Sequence, residues 1–259
     1  AAACELSRLG AELVLVGRDA LRLARAAREV RDFSGAQQEQ VLTFEAELSS
    51  RAEVARAGQA LAQRFPRIDI LINNAGALFD QHRLTADGHE RALAINLLCP
   101  WWLTQALLPS LDAAGGRVIN VASGGMYLQP LRLNDMNFAH ETYDGARAYA
   151  RAKRALVALT EHWARAHPQV FFASMHPGWA ATPGVAKSLP GFNRRLQRWL
   201  RDARMGADTM VWLASSPAPL ALPGRFWFDR RPAPTAVLPG TAVTAPQRTA
   251  LVDWLRHQG

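Results

Sequence analysis

The chain has 259 residues, of which 49% are hydrophobic and 20% charged, with a formal net charge of +8 at pH 7, and this fits one globular α/β domain over residues 1–259. Its two cysteines, Cys4 and Cys99, are too few for a disulfide framework or a cysteine-ligated metal site, which favours a reducing, cytoplasmic location. Because the arginines are spread along separate helix-like stretches without a recognition motif, we expect solvated helix faces and no nucleic-acid partner.

Short, continuous apolar runs alternate with longer amphipathic runs along most of the chain. The apolar runs predict strands at 13–16, 41–44, 68–72, 118–122, 170–175 and 226–228, and the amphipathic runs predict helices at 20–30, 51–64 and 145–166. Strands that are apolar throughout and separated by helices indicate a parallel sheet covered on both faces. The pattern therefore predicts a doubly wound, Rossmann-like α/β fold, whose ligands bind beyond the carboxyl ends of the strands.

Residues 92–111 carry no charge and approach the length that spans a bilayer. The segment also contains two prolines and the polar residues Asn96, Gln105 and Ser110, which are costly in hydrocarbon unless paired. We therefore expect a buried helix of the core and no integral membrane segment. The tail, residues 215–259, is rich in proline up to residue 246, which predicts an extended surface loop followed by a closing helix at 247–257.

A tyrosine and a lysine lie four residues apart in the predicted helix 145–166. Residues at this spacing, here Tyr149 and Lys153, share one face of a helix. A tyrosine has a pKa near 10 and becomes a useful acid/base group at neutral pH when a nearby cation favours its phenolate. The two could also be unrelated exposed residues, but the chain has three tyrosines and two lysines, so a chance match at this spacing is uncommon.

Further polar residues lie where predicted strands end, or inside an apolar helix. Each has an ordinary structural interpretation: a loop or capping residue, a satisfied core polar group, a turn, or a strand exit. The set consists of Ser123, Asn96, the run Asn73-Asn74-Ala75-Gly76, and Pro177-Gly178 with Thr182.

Taken in this order with Tyr149 and Lys153, these residues resemble the short-chain dehydrogenase/reductase family over residues 12–227. Further runs, among them 160–163 and 175–179, are similar to a branch near the retinol-dehydrogenase-like enzymes. The resemblance implies that Tyr149 donates a proton to a carbonyl oxygen while a nicotinamide delivers hydride, and that Ser123 orients the same oxygen. It also implies that Lys153 lowers the pKa of the tyrosine and holds the ribose, and that Asn96 positions a water for proton return.

The resemblance implies a larger set of residues around the cofactor: Arg18, Glu47, Leu48, Asn74, Ala75, Gly76, Tyr149, Lys153, Pro177, Gly178, Trp179 and Thr182. Relatives that use NAD place a carboxylate after the second strand of the family fold, where it binds the ribose hydroxyls. Here that position is Gly17, followed by Arg18, and a guanidinium binds a 2′-phosphate well. We therefore expect NADP in preference to NAD.

Apolar residues flank the predicted site, and they fit either packing or a lipophilic substrate: Met126, Tyr127, Leu128, Trp179 and Phe192. They favour a small lipophilic carbonyl or alcohol as the substrate. The resemblance also implies a homodimer through the helices that carry Asn96 and Tyr149, in which Trp101 and Trp102 serve either the interface or the core.

The family fold begins with a strand and a Thr-Gly-x-x-x-Gly-x-Gly turn that cradles the pyrophosphate, and residues 1–259 contain neither. Residues 1–10 instead predict the remainder of the helix that follows the turn. The missing strand would lie between the strands at 13–16 and 68–72, so we expect a gap of roughly 10 Å there unless the flanking strands close up. Two functions stay open: an NADP-dependent reductase, or a non-catalytic fragment or binding remnant.

Overall fold

The computed structural model describes residues 1–179 and 201–258. Four parallel strands form the centre of a five-stranded sheet, and a short antiparallel strand closes its edge. In the order of the sheet they are β3 (Ile70–Asn73), β4 (Arg117–Val121), β5 (Phe171–Met175), β6 (Phe226–Phe228) and β7 (Arg231–Ala233). Two further parallel strands, β1 (Leu13–Gly17) and β2 (Val41–Glu45), form a separate pair. The predicted α/β fold with a parallel sheet is confirmed.

Helices separate the strands as the sequence predicts. They are α1 (Ala2–Arg8), α2 (Ala20–Ser34), α3 (Arg51–Arg64), α4 (Arg91–Leu93), α5 (Cys99–Ala114), α6 (Gly145–Ala166), α7 (Ala203–Ser215) and α8 (Ala245–Arg256). Local hydrogen bonds explain several starts, because side chains of Asp19, Ser50 and Asp144 accept the orphan N–H groups of α2, α3 and α6. These caps fix where each amphipathic run becomes helical.

The sheet is divided at the place where the sequence predicts a gap. Within the described ranges, β1 pairs with β2 and β3 pairs with β4, and β1 and β3 share no ladder. All of β1 and the first three residues of β3 are only partly buried, whereas β5 is buried throughout. The two strands that flank the gap are therefore incompletely covered.

The largest apolar cluster lies on the face of the sheet covered by α3, α5, α6 and α8. At its centre Trp163 stacks on Trp101 and Phe172, with ring centroids 5.9 and 5.6 Å apart. Trp101 therefore belongs to the core. The helix Arg91–Ala114 is long and apolar enough to cross a membrane by length and composition, but 67% of its most apolar window is buried inside the fold.

The closing helix α8 packs against α6 through Leu251, Val252 and Leu255, which are all buried. Residues 150–160 of α6 are all buried, because α6 packs against β5 and α4 as well as α8. The helix α6, which carries Tyr149, thus lies between the sheet and the closing helix α8. The family resemblance implies that α6 also takes part in a homodimer interface.

The tail departs from the predicted extended loop. It contributes β7, which pairs with β6, and α8 begins at Ala245, two residues before the predicted start. The earlier start follows from a capping box, because Thr244 and Gln247 satisfy each other's backbone N–H groups.

Candidate active site

Two hydroxyl groups meet at the carboxyl edge of the central sheet. Ser123 follows β4 and caps a short 3₁₀ turn, Gly124–Leu128, by accepting the Gly125 N–H at 3.2 Å. Its hydroxyl is also close enough to Tyr149, on the second turn of α6, to lower the pKa of that phenol. Both residues remain partly exposed. The structure therefore places Ser123 and Tyr149 at the same edge of the sheet, and their roles stay predictions.

Lys153 lies one helical turn beyond Tyr149 and is almost fully buried. Its Nζ donates to the carbonyl oxygen of Val121 at 2.7 Å and lies 5.7 Å from the centroid of the Tyr149 ring. Burial lowers the pKa of Lys153 to about 7, against a smaller opposing effect of Cys99. The amine can therefore both hold and release a proton near neutral pH.

Lys153 is not among the groups that shift the pKa of Tyr149 in the structure without a cofactor. Burial raises the pKa of Tyr149, and the hydrogen bond from Ser123 is the influence that lowers it. The Lys153 amine has little effect on the Tyr149 phenol because it donates its hydrogen bond to the Val121 carbonyl oxygen. The amine is also buried, and burial lowers its own pKa. Without a cofactor, the surroundings of Tyr149 favour a protonated phenol.

Asn96 occupies a π-helical turn, Ala94–Leu98, between α4 and α5, a feature often found at functional sites. Its Nδ2 donates to the carbonyl oxygens of Ala92 at 2.7 Å and Ala77 at 2.8 Å, and its buried Oδ1 has no hydrogen-bond partner in the described chain. A Cβ on Gly76 would lie 2.6 Å from that Oδ1 and 3.2 Å from the Nζ of Lys153. The two polar groups therefore face one space beside Gly76, which a side chain at this position would fill.

A network of buried side-chain hydrogen bonds lies beside the candidate site. Asn73 donates to Asn120 at 2.8 Å and to Thr104 at 3.2 Å, and Asn120 donates to Thr160 at 2.9 Å. These bonds join β3 and β4 to α5 and α6. The first residue of the Asn-Asn-Ala-Gly run is thus structural, and the following Asn74 is exposed.

Arg18 and Glu47 meet at the carboxyl ends of β1 and β2, where the guanidinium donates to the carboxylate at 3.2 Å. Burial opposes ionisation of Glu47, but hydrogen bonds from Ser49 and Arg18 outweigh it and hold the pKa of the carboxyl below its usual value. Both side chains line a cavity of about 600 Å³. The neighbouring Leu48 and Ala75 pack in or against the core. Among these four residues expected around the cofactor, Arg18 and Glu47 are the two that place charged groups at the cavity.

The strand exit after β5 carries Pro177, Gly178 and Trp179, and Gly178 adopts a left-handed φ of +76°. Thr182 and Phe192 lie outside the described residues. Of the apolar residues expected near the substrate, Met126 is fully buried in the core, whereas Leu128 and Trp179 are exposed. Three further residues lie close to this exit, although sequence reasoning assigned them no role, namely His176, Arg201 and Asp229.

Comparisons with known proteins place these features in one family. The model of the short chain dehydrogenase family matches residues 1–191. The chain is 41% identical over 260 residues to dehydrogenase/reductase SDR family member 12 of Bos taurus, covering 99% of this chain and 81% of that protein. It is 32% identical over 248 residues to retinol dehydrogenase 14 of Mus musculus, covering 88% and 73%.

A solved structure of a protein from Mycobacterium paratuberculosis matches with a TM-score of 0.79 at 25% identity, over 99% of this chain and 87% of that one. The family match covers more than half of the chain, and members of this family bind a nicotinamide dinucleotide. The chain is therefore an oxidoreductase of the short-chain dehydrogenase/reductase family.

Proposed function

We propose that the chain transfers hydride between NADP(H) and a lipophilic carbonyl or alcohol, with Tyr149 as the acid/base group. The observation that carries this proposal is the placement of Ser123 beside Tyr149, one helical turn from the buried amine of Lys153. A proton donor within reach of a carbonyl oxygen, beside a second hydroxyl that orients it, meets the geometric demand of such a reaction.

The nicotinamide, when bound, supplies the hydride that the carbonyl carbon receives. Ser123 orients the substrate oxygen with its hydroxyl, and Tyr149 donates its phenolic proton to that oxygen. The raised pKa of Tyr149 supports this direction of transfer, because the phenol keeps its proton at neutral pH until the developing alkoxide takes it. Tyr149 is therefore suited to donate a proton to a carbonyl oxygen near neutral pH.

Lys153 and Asn96 serve to return the proton. The pKa of Lys153 is lowered to about 7 by burial, so its amine can give a proton to the Tyr149 phenolate and regain one at neutral pH. The unpartnered Oδ1 of Asn96 faces the same space beside Gly76. There it can accept a hydrogen bond from a water molecule that returns protons to the lysine.

The residues present fit both ends of a nicotinamide dinucleotide. Ser123, Tyr149 and Lys153 fit the nicotinamide end, and the cavity beside Arg18 and Glu47 fits the adenosine end. Arg18 has guanidinium donors beyond the one that it gives to Glu47, and these can bind a 2′-phosphate. This supports NADP in preference to NAD.

A second candidate function rests on the divided sheet. Residues 1–259 contain no glycine-rich turn, and β1 and β3 do not pair in the described chain. The lack of a ladder between β1 and β3 in the described residues favours a binding remnant that does not turn over substrate. NADPH titration of the purified protein separates the two functions, since a protein that binds no cofactor supports the remnant.

The reductase proposal is tested by following NADPH consumption across ketones and aldehydes of increasing chain length, on the same purified protein. We expect turnover to improve as the apolar part of the substrate grows, because burial of each added methylene contributes about 0.8 kcal/mol. Turnover confined to small polar carbonyls would contradict the lipophilic substrate, and no consumption with any carbonyl would contradict the reductase.

Arg18→Ala is expected to weaken NADPH binding by about 10- to 100-fold, the effect of losing charge-assisted hydrogen bonds of roughly 1.5–3 kcal/mol. NADH binding should change by less than about threefold, because NADH has no 2′-phosphate for Arg18 to bind. Fluorescence titration with both cofactors measures the difference. Arg22→Ala, at an exposed arginine of α2, is the control. Equal losses for NADPH and NADH, or better turnover with NADH in the unaltered chain, would show that Arg18 does not select the cofactor.

A further inference from the structure

The turn after β5 is held by a histidine that the proposed chemistry does not use. The Nδ1 of His176 accepts the backbone N–H of Gly178 at 3.1 Å. Because Nδ1 acts as the acceptor, the neutral ring carries its proton on Nε2. This bond closes a tight turn around Pro177, in which Gly178 takes the left-handed conformation.

Aromatic stacking fixes the His176 ring in the orientation that this bond requires. The ring lies parallel to that of Phe228, with centroids 4.2 Å apart and planes 4° from parallel, and it also stacks on Phe226 at 5.6 Å. Both phenylalanines belong to β6, the strand next to β5. The ring therefore has little freedom to rotate away from Gly178.

Arg201 holds the same turn from another direction. Its guanidinium lies 4.8 Å from the centroid of Phe228 and donates two hydrogen bonds to Asp229, one of them at 2.7 Å. Its backbone N–H donates to the carbonyl of Trp179 at 2.8 Å. A Cβ on Gly178 would lie only 2.7 Å from the Nε of Arg201, so the arginine packs directly on the turn.

We propose that His176 is a positioning residue which, with Phe228, Arg201 and Asp229, sets the Pro177–Gly178 turn in the shape that receives the nicotinamide end of the cofactor. The inference rests on the proposed function, and the contact between turn and cofactor is the one that the family resemblance implies for Pro177 and Gly178. It goes beyond that function by assigning the shape of the turn to four residues that do not touch the reacting atoms.

The electrostatic surroundings are consistent with a permanent acceptor at Nδ1. Burial lowers the pKa of His176 to about 4, the charge of Arg201 acts in the same direction, and Asp229 opposes them. Protonation would place a second N–H donor against the Gly178 amide and a cation beside Arg201. The ring is therefore neutral at neutral pH, and the turn keeps its hydrogen bond.

Two substitutions separate the hydrogen bond from the stacking. His176→Phe keeps a flat ring against Phe228 but removes the acceptor. His176→Asn loses the stacking but retains an oxygen that can accept the N–H two residues further on, as asparagine does in turns. His257→Phe, at an exposed histidine after α8, is the matched control. The readouts on the full chain are hydrogen exchange of the Gly178 amide without cofactor, NADPH affinity, turnover, and thermal midpoint.

For His176→Phe we expect Gly178 exchange to accelerate by about tenfold or more and the Kd for NADPH to rise by about tenfold, with a thermal midpoint close to that of the unaltered chain. His176→Asn should stay within about threefold of the unaltered chain in exchange and affinity. The proposal is overturned if His176→Phe leaves both quantities unchanged, or if both variants lose affinity equally together with stability.

The exchange measurement is independent of the proposed function. If the unaltered chain binds neither NADPH nor NADH, the proposed function fails, and the positioning role is then decided by Gly178 exchange alone. A protected amide that is released by His176→Phe and kept by His176→Asn supports the role. An amide that exchanges freely in the unaltered chain overturns it.

Discussion

Tyr149→Phe is expected to lower turnover by about a thousandfold while changing the NADPH Kd by less than about twofold. The substitution removes the phenolic proton that Tyr149 donates to the carbonyl oxygen in the proposed reaction. It keeps the aromatic ring and its packing in α6. Single-turnover kinetics with saturating NADPH isolate the chemical step, and fluorescence titration measures the affinity.

Tyr143→Phe provides a matched control. Tyr143 donates to the buried carboxylate of Glu90 and to the carbonyl of Phe79, so its loss should cost about 1–2 kcal/mol of stability without lowering turnover at a temperature where the variant is folded. Equal losses of turnover in both variants would remove Tyr149 from its assigned role, as would undiminished turnover in Tyr149→Phe.

Lys153→Met is expected to abolish most activity and yet stabilise the chain without cofactor. A buried amine with its pKa lowered from 10.5 to about 7 is costly to the folded state while it is charged. The unfolded chain binds more protons than the folded chain between those two values, so stability of the unaltered chain should rise with pH across that window. Methionine removes the cost and also the hydrogen bond to Val121.

The net gain for Lys153→Met should be about 1–2 kcal/mol at about pH 6, a few degrees in thermal midpoint, and it should shrink towards about pH 10. Urea unfolding at a series of pH values measures the difference, and NADPH consumption measures the loss, which we expect to be about a hundredfold or more. If the variant is less stable at every pH, or if the stability difference does not change with pH, then burial does not lower the pKa of Lys153 as described above.

The fold could be predicted closely where caps and periodicity agree. The bounds of α3 and α6 match the predicted helices 51–64 and 145–166, because each is a long amphipathic run with a polar cap. The strand β7 was not predicted, since Arg231-Pro-Ala233 has no apolar run and forms a strand only because β6 lies beside it. The π-helical turn around Asn96 was also missed, because helical periodicity does not reveal one extra residue in a turn.

The candidate site, too, could be predicted from the sequence only in part. Helix spacing was enough to predict that Tyr149 and Lys153 share one face of α6, and the family resemblance implied that Ser123 lies beside them. The effect of Lys153 on the pKa of Tyr149 stays a prediction, because burial of the phenol raises that pKa and the Val121 carbonyl accepts the hydrogen bond of the lysine. His176 and Arg201 were not predicted either, since they are far apart in sequence and meet only when β5 and β6 pair.

The most direct test of the account is hydride transfer itself. NADPH deuterated at the transferable position is incubated with the full chain and a lipophilic ketone, and the product alcohol is analysed by mass spectrometry. We expect deuterium on the carbinol carbon with the unaltered chain and almost none with Tyr149→Phe. An alcohol formed without deuterium, or the same labelled yield from both proteins, would contradict reduction by a bound nicotinamide with Tyr149 as the proton donor.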